Sequence, residues 1–311
     1  MHLIIDTDAG VDDAQAIMLA LAHPGVHVAA ITTLTGNVHV DKVVPNVFTV
    51  LDVMGADVPV YRGAAHPLVT GYWQPEEGIH GSDGLGNLQN RPPTTRHEEP
   101  EPAALALVRL ANEQPGHYTL VTLGPLTNVA LACRLDPDFP LKIKRFVFMG
   151  GSISAIGNTP AITAEYNFYC DPEAARLALG AFADATMLSW EATMRNALNW
   201  DLYDQLAAIN TTRGHFFRDI TAVTSTFLRK LDLPGSAYML PDPLAMAAAL
   251  EPELVRESER HYVTAETGGT LTRGQGIVDY LQLTRQPANV DIIMAMDMDG
   301  IYALYERMLA G

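Results

Sequence analysis

Residues 3–13 read LIIDTDAGVDD, an apolar run that passes directly into a group of acidic residues. The apolar residues 3–5 have the composition of a short buried strand. Residues 12–22 are predicted to form a helix, because acidic residues suit its first turn and residues 23–25 (HPG) end it. A strand, a polar loop and a helix in this order are typical of the start of an α/β protein.

The alternation of strand and helix continues along the chain. Further strands are predicted at residues 28–33, 58–61, 118–123 and 143–149, and helices at residues 40–54, 103–113, 216–231 and 243–250. Strand–helix–strand units of this spacing imply right-handed crossovers and parallel strands. Beyond residue 195 the pattern is more helical. We therefore predict an open, largely parallel, doubly wound α/β sheet with additional helices in the C-terminal third, in a single domain over residues 1–311.

The charge of the chain restricts its partners. Lys and Arg number 20 and Asp and Glu number 36, so the formal net charge is −16. Such a charge repels nucleic acids and anionic membranes, and it favours a small neutral substrate or a metal cation. The two cysteines, Cys133 and Cys170, are far apart, and the first residues do not resemble a secretory signal. We expect a protein of the reducing cytoplasm that is not embedded in a membrane.

The acidic part of residues 3–13 contains four carboxylates within eight residues: Asp6, Asp8, Asp12 and Asp13. Acids at this density repel one another unless a cation neutralises them. Ligands that are all oxygen atoms suit a hard cation, Ca²⁺ or Mg²⁺, rather than zinc. The spacing does not match the loop of an EF-hand. Much later, Asp242 lies at the start of a helix, where it could equally be an N-cap.

Four irregular segments are predicted to follow strands: residues 6–13, 34–37, 124–128 and 149–151. The carboxyl ends of parallel strands meet at one edge of an open sheet, and ligands bind in the crevice outside that edge. We therefore expect these segments to converge on one site. Residues 62–100 are also irregular, and a loop of this length in a compact domain is more often functional than not.

A series of short motifs resembles the inosine/uridine-preferring nucleoside hydrolase family. The DTDxGxDD pattern of residues 6–13 comes first, and the others follow in the family's order: residues 33–37 (TLTGN), 78–81 (GIHG), 123–128 (LGPLTN), 149–151 (MGG), 157–158 (GN), 164–167 (AEYN), 171–175 (DPEAA) and 272–274 (TRG). Each motif alone is weak, whereas the ordered series is specific. The resemblance covers nearly the whole chain, and it implies a calcium-dependent N-ribohydrolase that cleaves ribonucleosides to ribose and free base.

The resemblance also implies how the metal is held. Ca²⁺ would be bound by Asp8, Asp13, the backbone carbonyl of Thr127 and Asp242, together with the ribose hydroxyls and one water. Asp8 would act as the general base for this metal-bound water. A ring of carboxylates suits the positive charge that develops on ribose as the N-glycosidic bond breaks. Asp6 is expected to shape the loop through hydrogen bonds to backbone N–H groups.

Substrate-binding residues follow from the same resemblance. Those that would contact the ribose are Asp12, Asn37 and Asn167 at the diol, Asn158 and Glu165 at the 5′-hydroxyl, and Asp242 beside the ion. The family's members assemble into oligomers, so a homodimer or a homotetramer is expected. The nucleoside itself is the expected partner.

This sequence departs from the family's pattern at the group that activates the leaving base. The family has a histidine immediately before the late aspartate, and here that position is Pro241, which cannot donate a proton. Three alternatives are open: His80 as acid or hydrogen-bond partner of the base, stacking of Trp73 or Trp190 on a purine, and donation by Arg195. Glu191 and Met194 also replace the family's usual aspartate and histidine. Specificity for ribose is therefore predicted, whereas the base preference is left open.

Two other functions are compatible with parts of the sequence. A catalytically weak or silent homologue that binds nucleosides or ribose would explain Pro241. A metal-dependent phosphatase of the haloacid dehalogenase type also begins with a strand followed by Asp-x-Asp. That class places Thr or Val shortly after the second aspartate, whereas residues 10–13 here read GVDD. The phosphatase is the weaker of the two alternatives.

Overall fold

The computed structural model of the chain describes residues 1–69, 73–75, 77–231 and 236–311. Its strands are β1 (His2–Thr7), β2 (His27–Thr33), β3 (Val60–Arg62), β4 (Tyr118–Thr122), β5 (Arg145–Met149), β6 (Ala185–Leu188), β7 (Val255–His261), β8 (Val263–Ala265), β9 (Gly276–Val278) and β10 (Val290–Met296). Eight of these strands form one sheet in the order β3-β2-β1-β4-β5-β6-β10-β7, and β8 pairs separately with β9.

The large sheet is mostly parallel. All of its neighbouring strands are parallel except β7, which runs antiparallel to β10. From β1 the chain winds outward through β2 to β3, and from β4 it winds the other way through β5 to β6. The winding direction therefore reverses between β1 and β4, which opens a crevice at the carboxyl ends of these two strands. The predicted open, largely parallel, doubly wound sheet is confirmed.

Helices cover both faces of the sheet. They are α1 (Val11–Ala22), α2 (Val40–Met54), α3 (Glu77–His80), α4 (Ala103–Glu113), α5 (Thr127–Leu135), α6 (Phe139–Lys142), α7 (Tyr166–Cys170), α8 (Pro172–Ala181), α9 (Trp190–Arg195), α10 (Trp200–Ala207), α11 (Thr212–Lys230), α12 (Pro241–Leu250) and α13 (Met298–Ala310). In β1, Leu3 and Ile5 belong to a core with α1, α2 and α12, whereas Ile4 belongs to a core with α4, α5 and α8. Successive strand residues point to opposite faces, so β1 contributes to both cores.

The additional helices predicted for the C-terminal third are present, but two of them begin earlier than the apolar pattern indicates. α11 begins at Thr212 because the Thr211 side chain accepts a hydrogen bond from Gly214 N. α12 begins at Pro241, since proline is tolerated at the first helical position. Within the described residues, none of the helices has both the length and the apolar composition that a membrane crossing requires.

Candidate active site

The loop between β1 and α1 and the first turn of α1 lie at the crevice between β1 and β4, and Asp8 and Asp13 on these two segments are buried. Asp8 is 1% exposed and Asp13 is 0% exposed. A Cβ atom at Gly36, after β2, or at Gly124, after β4, would collide with the Asp8 carboxylate. The loops after β2 and β4 therefore contact Asp8 through glycine residues, where no side chain comes between the backbone and the carboxylate. The predicted convergence is confirmed for residues 6–13, 34–37 and 124–128.

Hydrogen bonds fix the orientation of Asp8 and Asp13. Asn37 donates from its backbone N to Asp8 Oδ2 (2.6 Å) and from Nδ2 to Asp13 Oδ2 (3.1 Å). Thr7 Oγ1 and Gly10 N also donate to the Asp13 carboxylate, at 2.5 Å and 2.8 Å. Among the described residues, the buried Asp8 Oδ1 has no hydrogen-bond partner. This oxygen is therefore free to meet an ion or a water molecule.

Asp242 reaches the same loop from the far end of the sequence. One carboxylate oxygen from each of Asp12, Asp13 and Asp242 lies within 4.8 Å of the others. Because α12 begins at Pro241, Asp242 lies in its first turn, where the helix dipole favours a negative charge. We call Asp8, Asp12, Asp13 and Asp242 the carboxylate group. The three residues within 4.8 Å of one another include Asp12, which the resemblance assigns to the sugar rather than to the ion.

Burial raises the pKa of every member of the carboxylate group. The pKa values of Asp8 and Asp242 lie well above their usual range, because neighbouring carboxylates add to the desolvation. Desolvation raises the pKa of Asp12 to about 6. The pKa of Asp13 is raised by burial and then by the charge of Asp12, and hydrogen bonds from Thr7 and Gly10 oppose this rise. Without a positive charge nearby, these acids therefore favour the protonated form.

The carboxylate group fits a hard divalent cation. Its ligand atoms are carboxylate oxygens, and buried oxygens of Asp8 and Asp12 lack hydrogen-bond partners among the described residues. A cation at this position would oppose both causes of the raised pKa values, namely desolvation and repulsion between like charges. The predicted contribution of the Thr127 carbonyl remains a prediction. Thr127 is the first residue of α5, and its hydroxyl donates to Asp171 Oδ2 at 2.7 Å.

Asp6 connects strands rather than shaping the loop. Its Oδ1 accepts hydrogen bonds from Thr32 Oγ1 (2.5 Å) and from Asn128 Nδ2 (2.8 Å). The expected hydrogen bonds from loop N–H groups are wrong: among the described residues, Oδ1 accepts only from side chains on β2 and α5, and the buried Oδ2 has no partner. Burial raises the pKa of Asp6 to about 7.

A cavity opens beside the carboxylate group. Seven residues that the sequence assigned to the substrate line it: Asp12, Asn37, His80, Asn158, Glu165, Asn167 and Asp242. Five mainly apolar side chains, which we call the apolar lining, also border it: Ile79, Trp190, Leu228, Met239 and Pro241. A cavity that joins acidic and amide groups to apolar surface suits a ligand with a polar part and a flat, less polar part.

Glu165 and Asn167 are held by backbone groups at the ends of β4 and β5. Glu165 accepts hydrogen bonds from Gly151 N (2.6 Å) and Asn167 N (2.8 Å), which oppose the rise of its pKa on burial. Asn167 Nδ2 donates to the carbonyls of Leu123 (2.7 Å) and Met149 (3.1 Å). The amide protons of Asn167 are thereby used, so its oxygen is the atom available to a ligand.

His80 is buried at the end of α3, beside the first turn of α1. Its Nδ1 accepts a hydrogen bond from Val11 N at 3.1 Å and lies 3.6 Å from Asp12 Oδ1. Burial lowers the pKa of His80 to about 4. The imidazole is therefore neutral near pH 7 and carries its proton on Nε2. These features disfavour His80 as an acid and leave it a role as a hydrogen-bond donor.

The other residues proposed to act on the base differ in whether they reach the cavity. Trp190 lines the cavity, whereas Trp73 donates its indole N–H to Gly36 O at 2.6 Å, next to Asp8. Arg195 and Met194 are exposed at the end of α9. Glu191 is buried, and its carboxylate accepts hydrogen bonds from Ile153 N (3.0 Å) and Ser154 N (2.6 Å). Glu191 therefore holds the loop after β5 in place.

Sequence reasoning missed several residues that line the cavity: Ile79, Thr224, Leu228, Tyr238 and Met239. A signal existed for two of them, since Tyr238 and Met239 precede Asp242 by only a few residues. Thr224 and Leu228 are four apart on α11, so they share one helix face. That face could be assigned to the cavity only once the position of α11 was known.

The fold and the site define an α/β enzyme whose cavity lies beside buried carboxylates at a sheet edge. The family described as inosine-uridine preferring nucleoside hydrolase matches residues 3–303. The chain belongs to this family. It is therefore a hydrolase of N-glycosyl compounds that acts on ribonucleosides. The phosphatase alternative has no support from this match.

Individual relatives agree with this assignment. The chain is 34% identical over 305 residues to the non-specific ribonucleoside hydrolase RihC of Salmonella enteritidis PT4 (strain P125109), covering 96% of this chain and 94% of the relative. It is similar to the solved structure of an inosine-guanosine nucleoside hydrolase (TM-score 0.91, 33% identity, 99% and 98% of the two chains covered). The purine-preferring ribonucleoside hydrolase from Gardnerella vaginalis is also similar (TM-score 0.91, 28% identity, 100% and 98% covered).

Proposed function

We propose that this protein is a calcium-dependent N-ribohydrolase that cleaves ribonucleosides to ribose and free base, with Asp8 as the base that accepts a proton from the attacking water. The observation that carries the proposal is the buried carboxylate group beside the cavity, in which Asp8 Oδ1 lacks a hydrogen-bond partner among the described residues. The family's substrates agree with it.

Calcium would be held by Asp8, Asp13, the backbone carbonyl of Thr127 and Asp242. When bound, the ion would offset the charge of these acids, align the ribose hydroxyls and lower the pKa of a bound water. An all-oxygen site favours Ca²⁺ or Mg²⁺, and Ca²⁺ accepts the larger and less regular ligand set that four side-chain and backbone oxygens from distant segments provide.

Asp8 is suited to the role of base because its two oxygens have different surroundings. Oδ2 is fixed by the backbone N–H of Asn37 at 2.6 Å, so the carboxylate cannot rotate freely. Oδ1 remains for the proton of the water. Burial and the charge of Asp13 raise the pKa of this carboxylate, and a bound cation would lower it again.

The ribose would be held by the amides and acids around the cavity. Asp12, Asn37 and Asn167 would contact the diol, and the oxygen of Asn167 would accept because its amide protons are already used. Asn158 and Glu165 would contact the 5′-hydroxyl. As the glycosidic bond breaks, positive charge develops on the sugar ring, and the surrounding carboxylates stabilise it.

Release of reducing sugar from inosine and uridine, with calcium or with a chelator, tests this proposal. We expect activity that calcium restores, and a loss of roughly 100- to 10,000-fold in Asp8→Asn and in Asp8→Ala, because each removes the base while the fold is kept. Asp219→Asn, an exposed acid on α11, is the matched control. Full activity of Asp8→Asn would refute the mechanism. Nucleoside binding by calorimetry without ribose release would indicate a silent homologue instead.

Assembly and location also belong to this proposal. By resemblance to the family, we propose a homodimer or a homotetramer in the cytoplasm. The low cysteine content, two residues in 311, agrees with a reducing compartment. Light scattering after size-exclusion chromatography would contradict the assembly if the protein eluted as a monomer.

A further inference from the structure

Three buried polar side chains form a chain of hydrogen bonds from α13 to the cavity. Tyr305, Gln15 and Tyr238 are each at most 1% exposed. Tyr305 Oη donates to Gln15 Oε1 at 2.8 Å, and Gln15 Nε2 lies 3.1 Å from Tyr238 Oη. Tyr238 lines the cavity. Buried polar networks are costly unless each member is satisfied, so the unused capacity of this one indicates where a ligand can bind.

The direction of the chain is fixed by the amide of Gln15. Gln15 Nε2 also donates to the carbonyl of Val11 at 3.0 Å. A carbonyl only accepts, so this atom must be the amide nitrogen, and the atom facing Tyr305 must be the oxygen. Gln15 therefore donates to Tyr238 Oη. Among the described residues the Tyr238 hydroxyl has no other partner, so its own proton is available to a ligand in the cavity.

We propose that Tyr238 donates a hydrogen bond to the nucleobase as it leaves, and so takes over part of the role of the histidine that Pro241 replaces. This inference rests on the proposed function. Tyr238 and Pro241 are three residues apart, and both line the cavity. Tyr238 also adjoins the apolar lining, where little water competes for its hydroxyl and a bond to a developing anion is strong.

The step balances without a proton from Tyr238. The C1′–N bond breaks, and its electron pair goes to the base. The oxygen of water bonds to C1′, and its proton goes to Asp8. Tyr238 keeps its proton and stabilises the negative charge on the base, which solvent then protonates. Burial raises the pKa of Tyr238 well above its usual range, which agrees with a donor that does not dissociate.

The proton of Tyr238 could instead serve Asp12, whose buried Oδ1 also lacks a hydrogen-bond partner among the described residues. The two roles differ in their dependence on the leaving group. Stabilising the base matters for a purine, which leaves as a strong base, and matters little for p-nitrophenolate, which leaves unaided. Orienting Asp12 at the sugar would matter equally for both substrates.

The test is the kcat/KM of Tyr238→Phe for inosine and for p-nitrophenyl β-D-ribofuranoside, in calcium-containing buffer. We expect a loss of roughly 10- to 100-fold for inosine and less than about threefold for the p-nitrophenyl riboside. Tyr203→Phe is the matched control, because its buried hydroxyl bonds Thr221 at 2.8 Å and its ring lies 4.5 Å from that of Tyr238. In the control variant, kcat/KM should change only slightly and by the same factor for both substrates.

Equal losses on both substrates, or no loss on either, would overturn the inference. If the wild-type protein hydrolyses neither riboside, the proposed function itself fails, and the inference fails with it. If Tyr238→Phe does not fold, Tyr305→Phe takes its place, because Tyr305 reaches the cavity only through Gln15. Its expected loss is about two- to fivefold for inosine and none for the p-nitrophenyl riboside; equal values for the two substrates would again contradict the inference.

Discussion

The carboxylate group and the apolar lining border one cavity, yet their side chains are held in different ways. Asp8 and Asp13 are fixed by backbone N–H groups of Asn37 and Gly10, within short loops at the sheet edge. The apolar lining comes from α3, α9, α11, the first residue of α12 and Met239 just before it, and its side chains are positioned mainly by packing. Charges that must meet a cation need fixed positions, whereas a surface that meets a flat base tolerates changes of side chain. The substitution by Pro241 falls in the second region.

Within the carboxylate group, a substitution of Asp13 should have the largest effect. In Asp13→Asn, the amide cannot accept all the hydrogen bonds that Thr7, Gly10 and Asn37 donate. We expect a loss of ribose release of roughly 1000-fold or more, together with loss of calcium binding by calorimetry. Asp57→Asn, whose carboxylate is fully exposed, is the control. Unchanged calcium affinity in Asp13→Asn would show that the carboxylate group does not hold the ion.

The raised pKa values of the carboxylate group predict that calcium affinity depends on pH. Burial raises the pKa of Asp12 to about 6 and the pKa values of Asp8 and Asp242 well above their usual range, so protons compete with the cation as the pH falls. From pH 8 to pH 6 we expect affinity to fall by about tenfold per pH unit for each proton displaced. Calorimetry in buffers of different ionisation enthalpy counts these protons. Affinity that is constant over this range would contradict the proposed site.

A change within the apolar lining should have a smaller and selective effect. Pro241→His restores a donor at the first position of α12, where the backbone N–H has no helical partner in any case, so the helix should remain intact. We expect kcat for inosine to rise by about tenfold and that for the p-nitrophenyl riboside to remain unchanged. Pro241→Ala, which adds no donor, is the control. An equal rise of kcat in both variants would mean that the removal of proline from the backbone, and not the added donor, causes the rise.

Gln15→Met should have the smallest effect. It removes the donor that orients the Tyr238 hydroxyl and keeps a side chain of similar length. We expect about a threefold loss of kcat/KM for inosine and no loss for the p-nitrophenyl riboside, because Tyr238 stays in place but is less well oriented. A Tyr238→Phe and Gln15→Met double variant should be no worse than Tyr238→Phe alone. Additive losses would mean that Gln15 acts independently of Tyr238.

The sequence predicted the sheet and the loop of the carboxylate group well, because both depend on local patterns. Buried strands such as β1 and β4 are continuous apolar runs, and the acids of residues 6–13 directly follow one of them. The partners of Asp6 could not be predicted in this way, since Thr32 and Asn128 lie 26 and 122 residues away. The contribution of α11 to the cavity could not be predicted either, because the amphipathic pattern of a helix does not specify which surface the helix covers.

From the sequence alone it is clear that a cluster of acids follows the first strand and that no histidine immediately precedes Asp242, and the cluster predicts a bound cation. Only the packing of α12 against α1 brings Asp242 within 4.8 Å of Asp12 and Asp13. The tertiary structure also joined Gln15 to Tyr238 and Tyr305, which are 223 and 290 residues away. The difference arises from the distance along the chain over which each kind of interaction acts. Propensity and charge act between neighbours in the chain, whereas a directed hydrogen bond between distant side chains exists only after the helices that carry them have packed.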